Sequence, residues 1–130
     1  MTDSAPIQLI QIVASPDFKT QTRKLSKRYH NLQTDLQPLL DQLIQGETPG
    51  DRIQGIQSIV YKVRLKNSNA KKGKSGGYRI IYYLKSQDNI LLVTLYSKSD
   101  RTDIAIETIV NIIAAYENSS FLKRDRSPLS

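Results

Sequence analysis

The sequence contains no cysteine and only one histidine, His30. The absence of cysteine excludes disulfide bonds and metal sites built from thiolates. A zinc site with several histidine ligands is excluded too, because one imidazole cannot supply them. We therefore expect no metal centre and no cofactor in this chain.

Long hydrophobic runs are also missing. No apolar stretch approaches the roughly 20 residues that a helix needs to span a bilayer. Residues 1–6 lack the basic segment and apolar core of a secretory signal. The length of 130 residues allows one domain with a substantial core, but not two. We expect a single cytoplasmic domain over 1–130, without a membrane partner.

Acidic residues are outnumbered, and their distribution is uneven. Nineteen Lys and Arg face twelve Asp and Glu, which gives a net charge of +7. This excess favours polyanions such as nucleic acid. The window 61–79 holds no acid and seven cations, which are Lys62, Arg64, Lys66, Lys71, Lys72, Lys74 and Arg79. This window is predicted to contact phosphates, although period-two cations also occur on a merely solvated sheet face.

Hydrophobic periodicity predicts four strands and three helices in the order β-α-α-β-β-β-α. Strand patterns lie at 7–13, 56–66, 78–85 and 90–96. Helical patterns begin at Pro16, after Thr34, and at Thr102 or Asp103, and they end near Leu32, Gly46 and Tyr116. Because the strands follow one another between helices, the fold class is α+β, with a curved antiparallel sheet packed by an N-terminal helix hairpin and a C-terminal helix. The core is expected over 7–116, with a flexible tail at 117–130.

Three local signals refine these elements. Ser15 is a candidate N-cap with Pro16 at the first helical position. Pro38 is acceptable only in the first turn of the second helix. In the strand at 56–66, alternation places Tyr61, Val63 and Leu65 on one face and Lys62, Arg64 and Lys66 on the other.

Three segments resemble a known family. They are YKVRLKN at 61–67, GKSGGYRIIYYL at 73–84 and LYSKSDRTDI at 95–104, and they are similar to the RelE/ParE superfamily of toxins, with the HigB-like branch closest. The resemblance covers about residues 7–116. It implies a RelE-like fold and a type II toxin that cleaves mRNA on the ribosome and inhibits translation. It also implies a cognate antitoxin that neutralises the toxin within a hetero-oligomer.

The resemblance assigns roles to particular cations. It places Lys62, Arg64 and Lys66 on RNA and in catalysis, and Arg79 on the scissile phosphate. Two positions depart from the family pattern, because Ser99 stands where an arginine is expected and Ala105 near where a catalytic tyrosine is expected. Lys98, next to Ser99, is the candidate replacement for that arginine, and nothing in the sequence replaces the tyrosine.

The proposed chemistry needs a base for the 2′-hydroxyl, cations for the developing phosphate charge and an acid for the 5′-oxygen. Arg79 suits the phosphate because guanidinium binds it bidentately. A lysine among other cations suits the base, since like charges disfavour its protonated form. Lys62, Lys66 and Lys98 are the candidates. The lysines of the connecting loop, which are Lys71, Lys72 and Lys74, are predicted to bind RNA.

Other interpretations stay open. Arg79 is an alternative partner for Asp88 or Asp100. Asp100 and Asp103 are expected mainly to cap the last helix. A ParE-like toxin that poisons gyrase without nuclease activity, or a catalytically inactive RNA-binding relative, also fits the departures at Ser99 and Ala105.

Overall fold

The computed structural model describes residues 9–70 and 77–125, with side-chain environments as far as residue 119. In these ranges the chain forms eight elements. They are β1 (Gln11–Ala14), α1 (Pro16–Arg28), α2 (Leu32–Ile44), β2 (Asp51–Arg52), β3 (Val60–Leu65), β4 (Tyr78–Ser86), β5 (Asn89–Ser97) and α3 (Ile106–Asp125). The α+β class and the block of three long strands are confirmed. No helix in these ranges is long and apolar enough to cross a membrane.

The five strands form one sheet in the order β1-β5-β4-β3-β2. Strands β2 to β5 pair antiparallel, as expected for a meander. Strand β1 pairs with β5 in parallel, so the sheet is mixed at this edge, where an antiparallel sheet was expected. The direction of an edge strand depends on how α1 and α2 return the chain to the sheet. Hydrophobic alternation within a strand does not indicate that path. Strand β2 was also missed, because its two exposed residues lie in a segment rich in turn residues.

Helix α1 begins as predicted. The Ser15 hydroxyl accepts a hydrogen bond from the Phe18 amide at 2.9 Å and donates one to the Val93 carbonyl at 2.6 Å. Pro16 occupies the start of the helix, where its missing N–H costs nothing. Phe18 and Leu25 are buried on the side that faces the sheet. The helix ends at Arg28, before the predicted end near Leu32.

Helix α2 starts earlier than predicted, at Leu32, and Thr34 therefore lies inside the helix and not at its cap. Pro38 sits in the helix interior, so the condition that it lie in the first turn is not met. Gly46 has φ of 90°, a left-handed conformation that suits glycine, and it follows the last residues of the helix as predicted. Leu36, Leu39 and Leu43 are buried against the sheet.

The two faces of the sheet are covered unequally. One core cluster joins α1 and α2 to side chains of β3, β4 and β5. A second, smaller cluster joins α3 to the opposite face through Ile109 and Ile113. Helix α3 starts only at Ile106, so the predicted caps at Thr102 and Asp103 are wrong, and it continues to Asp125, past the predicted end at Tyr116. The side chains of Arg64, Arg79 and Tyr96 point to the α3 side of the sheet.

Candidate nucleic-acid interface

Three side chains form a row across the sheet on the α3 side. Arg64 of β3 pairs with Arg79 of β4, and Arg79 pairs in turn with Tyr96 of β5. Directly paired residues point to the same face, with about 5 Å between their Cβ atoms. The neighbouring row contains Lys62, which pairs with Ile81. We use the name cation row for Arg64, Arg79 and Tyr96 together with Lys62 of the neighbouring row.

Arg79 is the most enclosed charge in the row. The residue is only 8% exposed, yet its guanidinium donates only one hydrogen bond within the described residues, to the Tyr78 carbonyl at 3.3 Å. No carboxylate in those residues lies within salt-bridge distance of Arg79. Like charges directly opposite each other destabilise a sheet, and a buried charge normally has a partner. The Arg64–Arg79 pair is therefore suited to an external anion.

The alternative acid partners suggested for Arg79 are engaged elsewhere. Asp100 binds Arg28 of α1, with 2.7 Å between carboxylate and guanidinium. Asp88 accepts hydrogen bonds from Ser86 at 2.8 Å and Asn89 at 3.0 Å in the β4–β5 turn. The interpretation that Arg79 forms a structural ion pair with either aspartate is wrong.

Asp103 lies in the loop between β5 and α3 and reaches the cation row. Its carboxylate accepts hydrogen bonds from the Ile104 amide at 2.8 Å and from the Lys62 ammonium at 3.2 Å. These donors, first the Ile104 amide and then Lys62, lower the pKa of Asp103, and Lys98 adds a smaller electrostatic contribution. Asp103 therefore does not cap α3 but holds the loop against β3 as an ionised group.

Tyr96 completes the row and was not recognised as a site residue from the sequence. It is 5% exposed, and its hydroxyl has no hydrogen-bond partner within the described residues. Burial, followed by the negative charge of Asp103, raises the pKa of Tyr96. The phenol consequently stays protonated and is able to donate a hydrogen bond. Within an apolar strand, only the register with β4 reveals that Tyr96 stands beside Arg79.

Two further predicted cations, Lys66 and Lys98, lie at this end of the sheet. Lys98 follows β5, and its ammonium donates to the Thr102 carbonyl at 3.2 Å. Lys66 follows β3 and is exposed. Lys71, Lys72 and Lys74 lie outside the described residues.

A cation lies near Ser99, the position where the resemblance implies an arginine. The Ser99 hydroxyl lies 2.8 Å from that of Ser97, and the adjacent Asp100 holds the guanidinium of Arg28. Helix α1 thus brings Arg28 beside the loop position where the family pattern expects an arginine. Ala105 directly precedes α3, and no tyrosine is found at that point.

The described residues contain no cluster of side chains suited to bind a metal ion. Across 9–70 and 77–125, no group of three or more His, Asp or Glu side chains is arranged to hold a metal ion. His30 is exposed beyond the end of α1, and it does not belong to the cation row.

A comparison with protein families assigns the fold and its biological setting. The model of the RelE toxin of the RelE/RelB toxin–antitoxin system matches residues 18–124. No curated protein matches the chain. The matched region includes the cation row, the loop with Asp103 and most of α3, and it exceeds half of the chain. This protein belongs to the RelE toxin family, whose members act in toxin–antitoxin systems together with an antitoxin partner.

Proposed function

We propose that this toxin is an endoribonuclease that cleaves mRNA on the ribosome and so inhibits translation. The observation that carries the proposal is the Arg64–Arg79 pair, in which a nearly buried guanidinium lacks a carboxylate partner in the described residues. A phosphate placed between the two guanidinium groups relieves their repulsion and receives charge-assisted hydrogen bonds. In this proposal the toxin acts in the cytoplasm, and a cognate antitoxin neutralises it.

The proposed reaction is an internal transesterification. A base removes the proton of the 2′-hydroxyl, whose oxygen attacks the adjacent phosphorus while the bond to the 5′-oxygen breaks. The 5′-oxygen takes up a proton as it leaves. The products are a 2′,3′-cyclic phosphate and a 5′-hydroxyl, and no metal or cofactor is consumed.

Arg79 and Arg64 stabilise the negative charge that grows on the phosphorus oxygens in the transition state. Lys62 already binds Asp103 and supplies a fixed positive charge at the edge of the site. Lys66 and Lys98 have no carboxylate within salt-bridge distance in the described residues, and they are the better candidates for the base.

The composition of the cation row supports dependence on the ribosome. The row contains no imidazole, and its only enclosed hydroxyl, that of Tyr96, is not exposed to solvent. Such a site gains little from acid–base chemistry on a freely moving RNA. Holding the 2′-hydroxyl and phosphate in line can supply much of the rate instead, and the ribosome provides that alignment.

Primer extension on a defined mRNA in a purified translation system tests the proposal. The wild-type protein should create new 5′ ends that require ribosomes. Arg79→Ala should reduce the rate by about 100-fold or more, the usual cost of losing a group that stabilises transition-state charge. Arg23→Ala, which removes an exposed arginine on α1, is the matched control and should cleave normally.

Two results would contradict the proposal. Intact mRNA at doses that stop cell growth would favour gyrase or another non-nuclease target, with the cation row serving only for docking. Intact mRNA without toxicity, despite binding to ribosomes, would instead indicate a catalytically inactive RNA-binding relative.

A further inference from the structure

A polar cavity of about 320 Å³ lies directly beside the cation row. It is formed by the start of α1, the end of β5 and the loop that leads into α3. Tyr96 belongs both to the wall of this cavity and to the cation row. Its volume is at the lower end of the range for small-molecule pockets.

The cavity exists because the sheet is incomplete at this edge. Strand β1 pairs with β5 only as far as Leu92, so the edge of β5 beyond that residue has no neighbouring strand in the described chain. Leu95 lies on this open edge and lines the cavity. The Lys98 amide donates a hydrogen bond to the Gly77 carbonyl of the neighbouring chain segment. Because hydrogen-bonded and non-hydrogen-bonded pairs alternate between antiparallel strands, the N–H and C=O groups of Leu95 point away from β4.

The polar side chains around the cavity divide into satisfied and available groups. Thr94 donates a hydrogen bond to Asp17, and Asp100 binds Arg28. Gln21, Arg101 and Thr108 also line the cavity, and their side chains make no hydrogen bond within the described residues. The available groups thus include an amide, which both donates and accepts, and a guanidinium, which only donates.

The geometry also places a guanidinium in the cavity wall. The Arg101 guanidinium lies over the Tyr96 ring, with 6.0 Å between its carbon and the ring centroid. Single-stranded RNA is commonly recognised by bases that stack on aromatic rings or guanidinium planes and form hydrogen bonds along their edges. An arginine pairs best with the two acceptors of guanine, O6 and N7.

We propose that this cavity binds a purine base of the RNA substrate, with preference for guanine, and that Arg101 and Gln21 read its edge. The proposal rests on the nuclease function proposed above. The phosphate belongs between Arg64 and Arg79, and the base of an adjoining nucleotide enters beside Tyr96. The cavity then determines where along the mRNA the chain is cut, whereas the cation row determines whether it is cut.

The first test compares cleavage patterns. Primer extension is run with the wild-type protein, Arg101→Ala, Gln21→Ala and the control Arg23→Ala, on an mRNA that presents all four bases around each codon. Arg101→Ala should lower the preference for sites with guanine about tenfold while cutting continues at other sites. An unchanged base preference in both Arg101→Ala and Gln21→Ala would overturn the base pocket and leave the nuclease proposal standing, provided that Arg79→Ala still shows its large loss of cleavage.

A second test does not depend on cleavage. The four nucleoside 5′-monophosphates are titrated into ¹⁵N-labelled full-length protein, and the side-chain amide of Gln21 and the backbone amides of Thr94 and Thr108 are followed. GMP should shift these signals more strongly than CMP or UMP. Equal shifts for all four nucleotides, confined to Lys62, Arg64 and Arg79, would mean that only the phosphate binds and would overturn the proposal, even if the wild-type protein failed to cut mRNA.

Discussion

Two arginines that face each other across a strand pair are unfavourable in the free protein. The Arg64–Arg79 pair therefore represents a local conflict between stability and the proposed anion binding. Conflicts of this kind concentrate at functional sites, where the ligand resolves them. Arg79 has little freedom to turn away because it is 8% exposed. Arg64 is exposed, so its side chain is the one that can move to reduce the repulsion.

Removal of the exposed charge should stabilise the free protein. We expect Arg64→Gln, which keeps a long polar side chain, to raise the free energy of unfolding by up to about 1 kcal/mol at low ionic strength, while mRNA cleavage falls. Urea denaturation with an unchanged slope measures the stability effect. The difference should disappear in 1 M salt, where charges are screened within roughly 3 Å. A loss of stability in Arg64→Gln would show that Arg64 contributes packing and not repulsion.

Asp103 gives a pH-dependent contribution whose sign follows from its lowered pKa. Because the carboxylate is favoured in the folded state, its contribution is present above the unfolded value of about 3.9 and is lost as pH falls through the lower folded value. The side chain is 68% exposed, so the expected contribution is only about 0–1 kcal/mol.

We expect Asp103→Asn to be slightly less stable than the wild-type protein at pH 7 and equally stable near pH 2. Thermal unfolding at several pH values measures this difference, with Asp51→Asn on the exposed strand β2 as the control. A difference that persists unchanged at pH 2 would assign the effect of Asp103 to its shape instead of its charge.

Residues at the site differed in how well the sequence predicted them. Alternation along one strand was enough to place Lys62 and Arg64 together on a face. Tyr96 and Asp103 could not be found in this way, because their positions depend on pairing between strands and on the path of a loop. A register shift between Ile81 and Tyr82 changes which residues of β4 and β5 are opposite, and no pattern within either strand indicates it.

At the scale of elements, the junction of β3 and β4 fixes the geometry of the row. A Cβ atom at Gly77 would collide with the Leu65 carbonyl oxygen of the neighbouring strand. Glycine at this position lets the two backbones approach closely, and the approach begins immediately before Tyr78 and Arg79. The site therefore depends on a residue that has no side chain to take part in chemistry.

We expect Gly77→Ala to lower the free energy of unfolding by about 1–3 kcal/mol, the usual cost of overpacking against a rigid neighbour. Cleavage should fall as well, since β4 must shift away from β3 and separate the two arginines. Chemical denaturation combined with primer extension measures both effects. Gln87→Ala in the exposed β4–β5 turn should stay within about 0.5 kcal/mol of the wild-type protein. An unaffected Gly77→Ala would mean that the strands separate without cost.

Elements whose ends carry specific signals were predicted closely. Ser15 and Pro16 fixed the start of α1, and Gly46 marked the end of α2. Helix α3 was placed too early because Thr102 and Asp103 resemble capping residues, whereas Asp103 is committed to Lys62 through tertiary contact. The parallel pairing of β1 with β5 joins segments that are distant in sequence, and local patterns could not specify it.

At the scale of the whole molecule, the net charge is +7, and its effect depends on where the cations are placed. Arg64, Lys66, Arg79 and Lys98 lie at or next to the ends of three neighbouring strands, with Lys62 further along β3, although α1 also carries several cations. If RNA lies along the strand ends, only the first set should neutralise phosphates. The number of ions released on binding distinguishes the two sets, because each phosphate contact with a single strand adds about 0.7 to the slope of log K against log salt concentration.

We expect Lys66→Ala and Lys98→Ala each to reduce that slope by about 0.7 when a 2′-deoxy-substituted, non-cleavable RNA oligomer is titrated at several salt concentrations. Lys24→Ala on α1 removes the same charge from the opposite side of the sheet and should leave the slope unchanged. Equal reductions in all three variants would indicate a diffuse electrostatic attraction. A selective reduction at Lys66 and Lys98 would instead place the RNA along the strand ends, where a phosphate reaches Arg79 and the base of an adjoining nucleotide reaches the cavity beside Tyr96.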